Sequence, residues 1–392
     1  MTELDTFPPR YGTGSLADIL PSALAVLGVP GNPDALGLGE GPLSGVRRIA
    51  VLLVDGLGYR LLKYASAVAP TLADFTSGRI GALRPLTAGF PSTTPVSLVT
   101  LGTGMPPGAH GVVGFTLNIP DTERVLNHIR WNGDPDPMLW QPLDTRFQRA
   151  AADGVAVTVV SRPEYDGSGL TTSAFRGARY RGASGPDEIA AGMREALAEG
   201  DRSFVYGYIP DVDANGHYHG VDSPQWRSAV ARVDRLLTML ADGLPADTAL
   251  IVTADHGMID VPDEARVDIT AHPEMRRGVR LITGEPRVRY VHTLPGSAGD
   301  VGDTWRAVLG DRALVLTREE AIDTGWFGPV PPGNAARLGD LIAVCTGRNV
   351  ILNVPEADME ATSLLRAYHG SITAAEMEIP LLTLRGTVTP PG

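Results

Sequence analysis

Four short runs in this 392-residue chain are almost wholly apolar: Ile49–Val54, Val155–Val160, Phe204–Ile209 and Ala249–Thr253. Each is bounded by turn-forming residues and is shorter than an ordinary helix, so each reads as a strand. Near-continuous apolarity means burial on both faces, and such strands belong to a parallel sheet covered by helices. Helical periodicity fills the intervals. Asp187–Glu199 carries Ile189, Met193 and Leu197 four apart, and Ser223–Ala241 carries Trp226, Val230, Val233, Leu237 and Leu240. Strands alternating with such helices predict a doubly wound α/β fold.

The chemically versatile residues fall just past three of these strands. Asp55 follows Ile49–Val54, Asp213 follows Phe204–Ile209, and Asp255 and His256 follow Ala249–Thr253. Open α/β sheets bind ligands beyond the carboxyl ends of their strands, so the three motifs converge on one sheet edge. Asp213 and His217 are four apart and share a face if that segment is helical. With His369 they make a two-His, one-carboxylate set, common at catalytic zinc. Asp55, Asp255 and His256 make a second set. The bland reading of each piece is a polar turn or a helix cap; only their company raises them.

Between the first and second acidic clusters lies Phe90-Pro-Ser-Thr-Thr-Pro95. Pro95 favours a helix start, with Thr94 as N-cap and the proline at the first helical position. Thr94 then sits where free N–H groups and the helix dipole attract an anion. Thr93 is the alternative nucleophile, and plain capping is the alternative role.

Bulk properties narrow the partners. A formal charge of −12 argues against a nucleic-acid polymer, which calls for a basic face. It leaves small anionic substrates open, since divalent cations reverse a local field. The single cysteine, Cys345, forms no internal disulfide and suits a reducing compartment. Leu20–Val29 is too short to span a bilayer. The expectation is a cytoplasmic protein without membrane contact. Gly102-Thr-Gly-Met-Pro-Pro-Gly108 lacks the Lys-Ser/Thr of a P-loop.

Taken in order, VDGLG, FPSTTP, PPGAHGVVGF, the D-x-x-x-H of DANGH, ADHG and the late YHG resemble the alkaline phosphatase superfamily, specifically its nucleotide pyrophosphatase/phosphodiesterase branch. The resemblance runs from about Arg47 to Leu382. It implies an α/β/α sandwich with a mostly parallel sheet and a smaller inserted cap. The expected organisation is residues 1–45 as an N-terminal extension packed on the core, 46–262 as the first core part, 263–335 as the cap and 336–392 as the second core part. Within the cap, strands are expected at Val279–Ile282 and Val288–His292 and a helix near Gly302–Leu309, with the chain returning to the core at Arg337–Val344.

Carried over to these positions, one metal takes Asp213, His217 and His369. The other takes Asp55, Asp255, His256 and the nucleophile, which the spacing back from Thr103-Gly104 matches to Thr94. The implied metals are two Zn2+ ions, with Mn2+ as the variant. The implied activity is hydrolysis of a phosphodiester or phosphoanhydride through a phospho-threonine. The alternatives are a phosphomonoesterase or mutase of the same superfamily, and a non-catalytic metal-dependent binding protein. A sulfatase requires C/S-x-P-x-R, which Cys345-Thr-Gly-Arg does not supply. The branch usually places an Asn shortly after His-Gly to bind a phosphate oxygen. Here Val112, Val113, Gly114 and Phe115 follow His110-Gly111, and Asn118 is the first Asn. Backbone N–H groups of Thr94 or Val96 are the alternative donors. Phe90, Trp131 and Trp140 are expected at the leaving group, although aromatics more often build core. His110 is read as structural.

Overall fold

The four apolar runs form the centre of a seven-stranded sheet. The computed structural model describes residues 6–353 and 364–387. Along the chain, β1 is Arg48–Val54, β2 Ala82–Thr87, β3 Ala156–Ser161, β4 Arg179–Gly182, β5 Ser203–Ile209 and β6 Thr248–Thr253. Four further strands, β7 Val279–Glu285, β8 Val288–Thr293, β9 Ala313–Thr317 and β10 Leu341–Cys345, build a separate sheet. The last strand, β11 at Glu378–Arg385, returns to the first sheet.

The main sheet runs β2–β11–β6–β1–β5–β3–β4. β1, β3, β4, β5 and β6 are parallel, and β11 is antiparallel to both its neighbours. Every residue of β5 and β6 is buried, as strands covered on both faces require. The covering helices include α1 Thr94–Thr103, α2 Gly169–Phe175, α3 Pro186–Leu197, α4 Asp211–His219 and α5 Pro224–Ala241. Ser223 caps α5 by accepting from the Trp226 N–H at 3.2 Å, and the α5 apolar stripe buries Trp226, Val230, Val233, Leu237 and Leu240. The N-terminal segment packs on this core through Leu16, Ile19, Leu20, Ala23 and Leu24; residues 1–5 of the expected extension lie outside the described residues.

The insert is organised differently from the expectation. Its antiparallel sheet has the order β7–β8–β10–β9. β10 lies between β8 and β9, so the chain does not rejoin the main sheet at 337–344. It does so only at β11. The reason is the period-2 pattern of β10. Ile342 and Val344 face the main core, while Leu341, Ala343 and Cys345 face a second core with Val291, Trp305 and Leu309. A strand buried on both faces between two apolar layers is as apolar as a main-sheet strand, and composition alone does not separate them. Residues 354–363 and 388–392 of the expected second core part lie outside the described residues. Among the described residues, no helix is long and apolar enough to cross a membrane.

Candidate active site

Register brings the motifs together. Val54 pairs with Ile209 and Leu53 with Thr253, so Asp55, the start of α4 and Asp255 leave the sheet at one edge. Gly56 makes the close approach possible. It adopts φ 73°, and a Cβ there would lie 2.9 Å from the Asp213 Cα. The Asp213 N–H donates to the Asp55 carbonyl at 3.1 Å, locking the α4 start to the β1 end.

Two clusters result: Asp213, His217 and His369, and Asp55, Asp255 and His256, each with its ligand atoms within 4.8 Å of one another. In the first, His217 Nε2 lies 3.4 Å and His369 Nε2 3.6 Å from Asp213 Oδ1, and the two Nε2 atoms are 3.2 Å apart. In the second, His256 Nε2 lies 3.5 Å from Asp55 Oδ1 and 3.3 Å from Asp255 Oδ2. The His256 and His369 rings stack at 3.6 Å and join the clusters. The far side of each imidazole is fixed by a carbonyl. The Nδ1–H groups of His217, His256 and His369 donate to Ala367 O at 2.7 Å, Gly257 O at 3.0 Å and Ser92 O at 2.9 Å. That leaves each Nε2 with its lone pair inward, the usual arrangement behind a metal-binding imidazole.

The carboxylates tell the same story. Asp55 Oδ1, Asp213 Oδ1 and Asp255 Oδ2 are buried and have no hydrogen-bond partner. Asp255 Oδ1, by contrast, accepts from the Gly56 and His256 N–H groups, each at 3.0 Å. Buried acceptors without donors are costly unless a cation meets them. Burial, then the charges of Asp255 and Asp213, raise the Asp55 carboxyl well above its usual range. Burial likewise raises Asp213. Burial, then the neighbouring His256 and His217, hold His369 well below its usual value, so it is neutral and competent as a ligand. The donor sets therefore fit two divalent cations.

Thr94 opens α1 at the second cluster. Its Oγ1 lies 3.3 Å from His256 Nε2 and 3.5 Å from Asp55 Oδ2. The helix starts one residue earlier than expected. Thr93 takes the N-cap with extended φ −139°, ψ 148°, and its side chain makes no capping bond. Pro95 occupies the second helical position rather than the first. Neither side chain caps the helix: the Thr94 hydroxyl faces the carboxylate cluster and the Thr93 hydroxyl makes no capping bond. Only Thr94 reaches the adjoining cavity.

That cavity, of about 350 Å³, is lined by Asp55, Thr94, Asp213, His217 and His369 at one end. Its walls are Leu98, Phe115, Val159, Tyr165, Leu170, Phe175, Tyr180 and Tyr208, with Ser161, Ser168 and Thr171 between them. No lysine or arginine is among its lining residues, and Glu164 is the one charged group beyond the clusters.

The sequence profile of the type I phosphodiesterase / nucleotide pyrophosphatase family matches residues 49–371. The chain belongs to this family. Ectonucleotide pyrophosphatase/phosphodiesterase 1 of Saccharomyces cerevisiae is 28% identical over 209 residues, 44% of this chain and 28% of that protein. Family member 7 of Rattus norvegicus is 26% identical over 238 residues, 57% of this chain and 53% of that protein. The chain thus spans about half the length, or less, of these curated relatives. Murine ectonucleotide pyrophosphatase / phosphodiesterase 5 superposes with a TM-score of 0.67 at 19% identity over 88% of each chain. Phosphonoacetate hydrolase from Sinorhizobium meliloti 1021 does so with 0.66 at 21% identity, over 90% of this chain and 92% of that one. These likenesses establish the alkaline-phosphatase-like fold.

Within this family member, Phe90, Trp131 and Asn118, three of the residues expected at the substrate, lie outside the cavity lining, as does Trp140. Phe90 is fully buried against Trp326 and Phe327. Trp131 is buried against His128 and Trp140, with its indole N–H donating to Pro135 O at 2.8 Å. Asn118 is 3% exposed, and none of the three lines the cavity. The aromatic signal was core, the commoner use of such rings. His110 is structural as read: its Nδ1 accepts from the Val112 N–H at 3.1 Å and its Nε2–H donates to Thr100 Oγ1 at 3.0 Å. The expected cap, residues 263–335, supplies no lining residue. The walls come from residues 115–129 and 159–180, and from Tyr208, whose place near the end of a predicted strand was the one available signal.

Proposed function

We propose that this protein is a two-metal phosphodiesterase/pyrophosphatase that works through a phospho-threonine on Thr94. The observation that carries the reading is the Thr94 hydroxyl, 3.3 Å from His256 Nε2 and 3.5 Å from Asp55 Oδ2, at the mouth of an aromatic-walled cavity. Bound divalent cations lower the pKa of hydroxyl nucleophiles and neutralise phosphoryl charge. The chain does the rest. Thr94 supplies the attacking oxygen at the start of a buried helix, whose first N–H groups lack intrahelical partners and favour an anion. His217, His369 and Asp213 would hold the second cation, which would supply charge stabilisation to the leaving oxygen and activate a water for the second step. Zinc is the proposed metal, since imidazole and carboxylate in groups of three suit it.

The cavity wall supports a neutral, ring-bearing ester substituent on the phosphate, such as a nucleoside. Tyrosine and phenylalanine faces suit a flat ring, and Ser161, Ser168 and Thr171 suit its hydroxyls. A solved structure of murine family member 5, described as an inactive variant, is a complex with AMP. A monoester, or a carboxylated substrate such as the phosphonoacetate in the Sinorhizobium enzyme's structure, would find no lysine or arginine in this lining. A diester is therefore preferred. With zinc loaded, bis-p-nitrophenyl phosphate should turn over faster than p-nitrophenyl phosphate. Thr94→Ala should lower the rate by about 10³-fold or more while metal content stays at two per chain. If Thr94→Ala turns over like wild type and Thr93→Ala does not, the nucleophile is misassigned. Monoester turnover exceeding diester turnover would favour the phosphatase alternative.

A further inference from the structure

We propose that Tyr208 is the positioning residue of the Asp55 cluster: its phenol decides which Asp55 oxygen faces a cation and which faces Thr94. The inference rests on the two-metal reading above and goes beyond it to a residue outside both ligand sets.

Each other ligand of that cluster is steered from behind by backbone. Asp255 Oδ1 is held by two N–H groups, leaving Oδ2 free. His256 is held at Nδ1 by Gly257 O. Asp55 has no such backbone donor to its carboxylate among the described residues. Its Oδ2 instead receives the Tyr208 hydroxyl in a short hydrogen bond, and Oδ1 is left without a partner, 3.5 Å from His256 Nε2. The same Oδ2 is the oxygen 3.5 Å from Thr94 Oγ1. Without the phenol, the carboxylate is free to turn about its last torsion, a broad and soft one. It would then grip a cation with both oxygens and withdraw from Thr94.

The clamp has a rigid mount. Tyr208 is the penultimate residue of the fully buried strand β5, which pairs with β1 up to Val54–Ile209. Its ring meets Tyr165 edge-on at 6.1 Å. A phenol carries its O–H at neutral pH and serves as the donor here. Tyr208 also lines the cavity, so the residue that orients a ligand carboxylate is part of the substrate wall. Tyr206 supplies an internal control. It lies on the same face of β5, two residues away, is fully buried, and its hydroxyl has no partner.

Tyr208→Phe keeps the ring and its packing and removes only the donor. Chelator-stripped protein is titrated with Zn2+ against a chromophoric chelator, with no substrate present. Wild type and Tyr206→Phe should take up two equivalents with the same pair of affinities. Tyr208→Phe should weaken one equivalent by about 10- to 100-fold and leave the other unchanged, with the melting temperature of the stripped protein close to that of Tyr206→Phe. A general structural defect would lower both affinities together. Unaltered binding of both equivalents by Tyr208→Phe, or equal weakening of both, overturns the positioning role alone. A wild-type chain that takes up no metal overturns this role and the two-metal reading together.

Discussion

Arg287 and Glu376 form an ion pair in which both side chains are fully buried. The guanidinium meets the carboxylate twice, at 2.9 and 2.7 Å, and its other N–H groups reach the carbonyls of Gly347 and Asn349. Glu376 also accepts from the Ser371 N–H at 3.0 Å and the Thr373 hydroxyl, while its carbonyl accepts from the Gly257 N–H at 2.8 Å. Replacing Arg287 by Met leaves a buried carboxylate without its counter-charge, which costs about 3–5 kcal/mol. Unfolding entropy near 60 °C is about 2.1 cal/mol/K per residue. For 392 residues that gives about 0.8 kcal/mol/K, so the melting temperature should fall by roughly 4–6 °C. The double variant Arg287→Met/Glu376→Met removes both charges and should recover a good part of the loss, because an apolar pair of similar volume is often no worse than a buried ion pair. Scanning calorimetry of the four proteins, metal-free, completes the cycle. A single variant within about 1 °C of wild type, or a double variant losing the full sum of the singles, would refute the reasoning.

Other outcomes follow from the same geometry. His217→Ala should reduce bound zinc from two equivalents to one with Thr94 intact, as measured by metal analysis after gel filtration; retention of both would break the grouping of His217 with Asp213 and His369. Burial pushes the Glu285 carboxyl from 4.5 up to about 8. A value raised in the folded state contributes stability that is fully present below 4.5 and lost as pH rises through about 8. In the presence of chelator, wild type should therefore lose melting temperature relative to Glu285→Gln across that window, and parallel pH profiles would refute it. Arg235 and Asp187 pair on the surface, with side chains 65% and 62% exposed, so Arg235→Ala should change stability by less than about 1 kcal/mol in urea melts.

The parts of the site that were legible in the sequence are those whose signal is local. The strands ending at Val54, Ile209 and Thr253 are marked by their own apolarity, and the ligands stand within a few residues of those ends. Asp213 and His217 announce themselves by a four-residue spacing that the helix α4 realises. The wall of the cavity was not legible. Phe115, Tyr165 and Phe175 sit in short loops and helices and Tyr180 in the four-residue edge strand β4, with no periodicity to separate a lining ring from a core ring such as Phe90. The edge of the insert carries no local mark for a related reason: β10 is buried on both faces, as a main-sheet strand is.

The insert's role was hidden for the deepest reason, since it depends on pairing between residues remote in sequence. It contributes none of the cavity lining. What it contributes is Arg287, in the turn between β7 and β8. Through Glu376 that guanidinium is tied to Ser371, two residues past His369, and to Gly257, one residue past His256. Gly257 admits this contact only because it lacks a side chain; a Cβ there would fall 2.1 Å from Ala375 O. One buried charge pair therefore braces the loops carrying the two stacked imidazoles, one from each cluster. A metal site assembled from five separate chain segments needs such bracing, because an error of tenths of an ångström in either loop would be felt directly at the inward-facing Nε2 atoms. By this geometry the insert acts on the ligands from behind, and the walls of the cavity come largely from residues 115–129 and 159–180 instead.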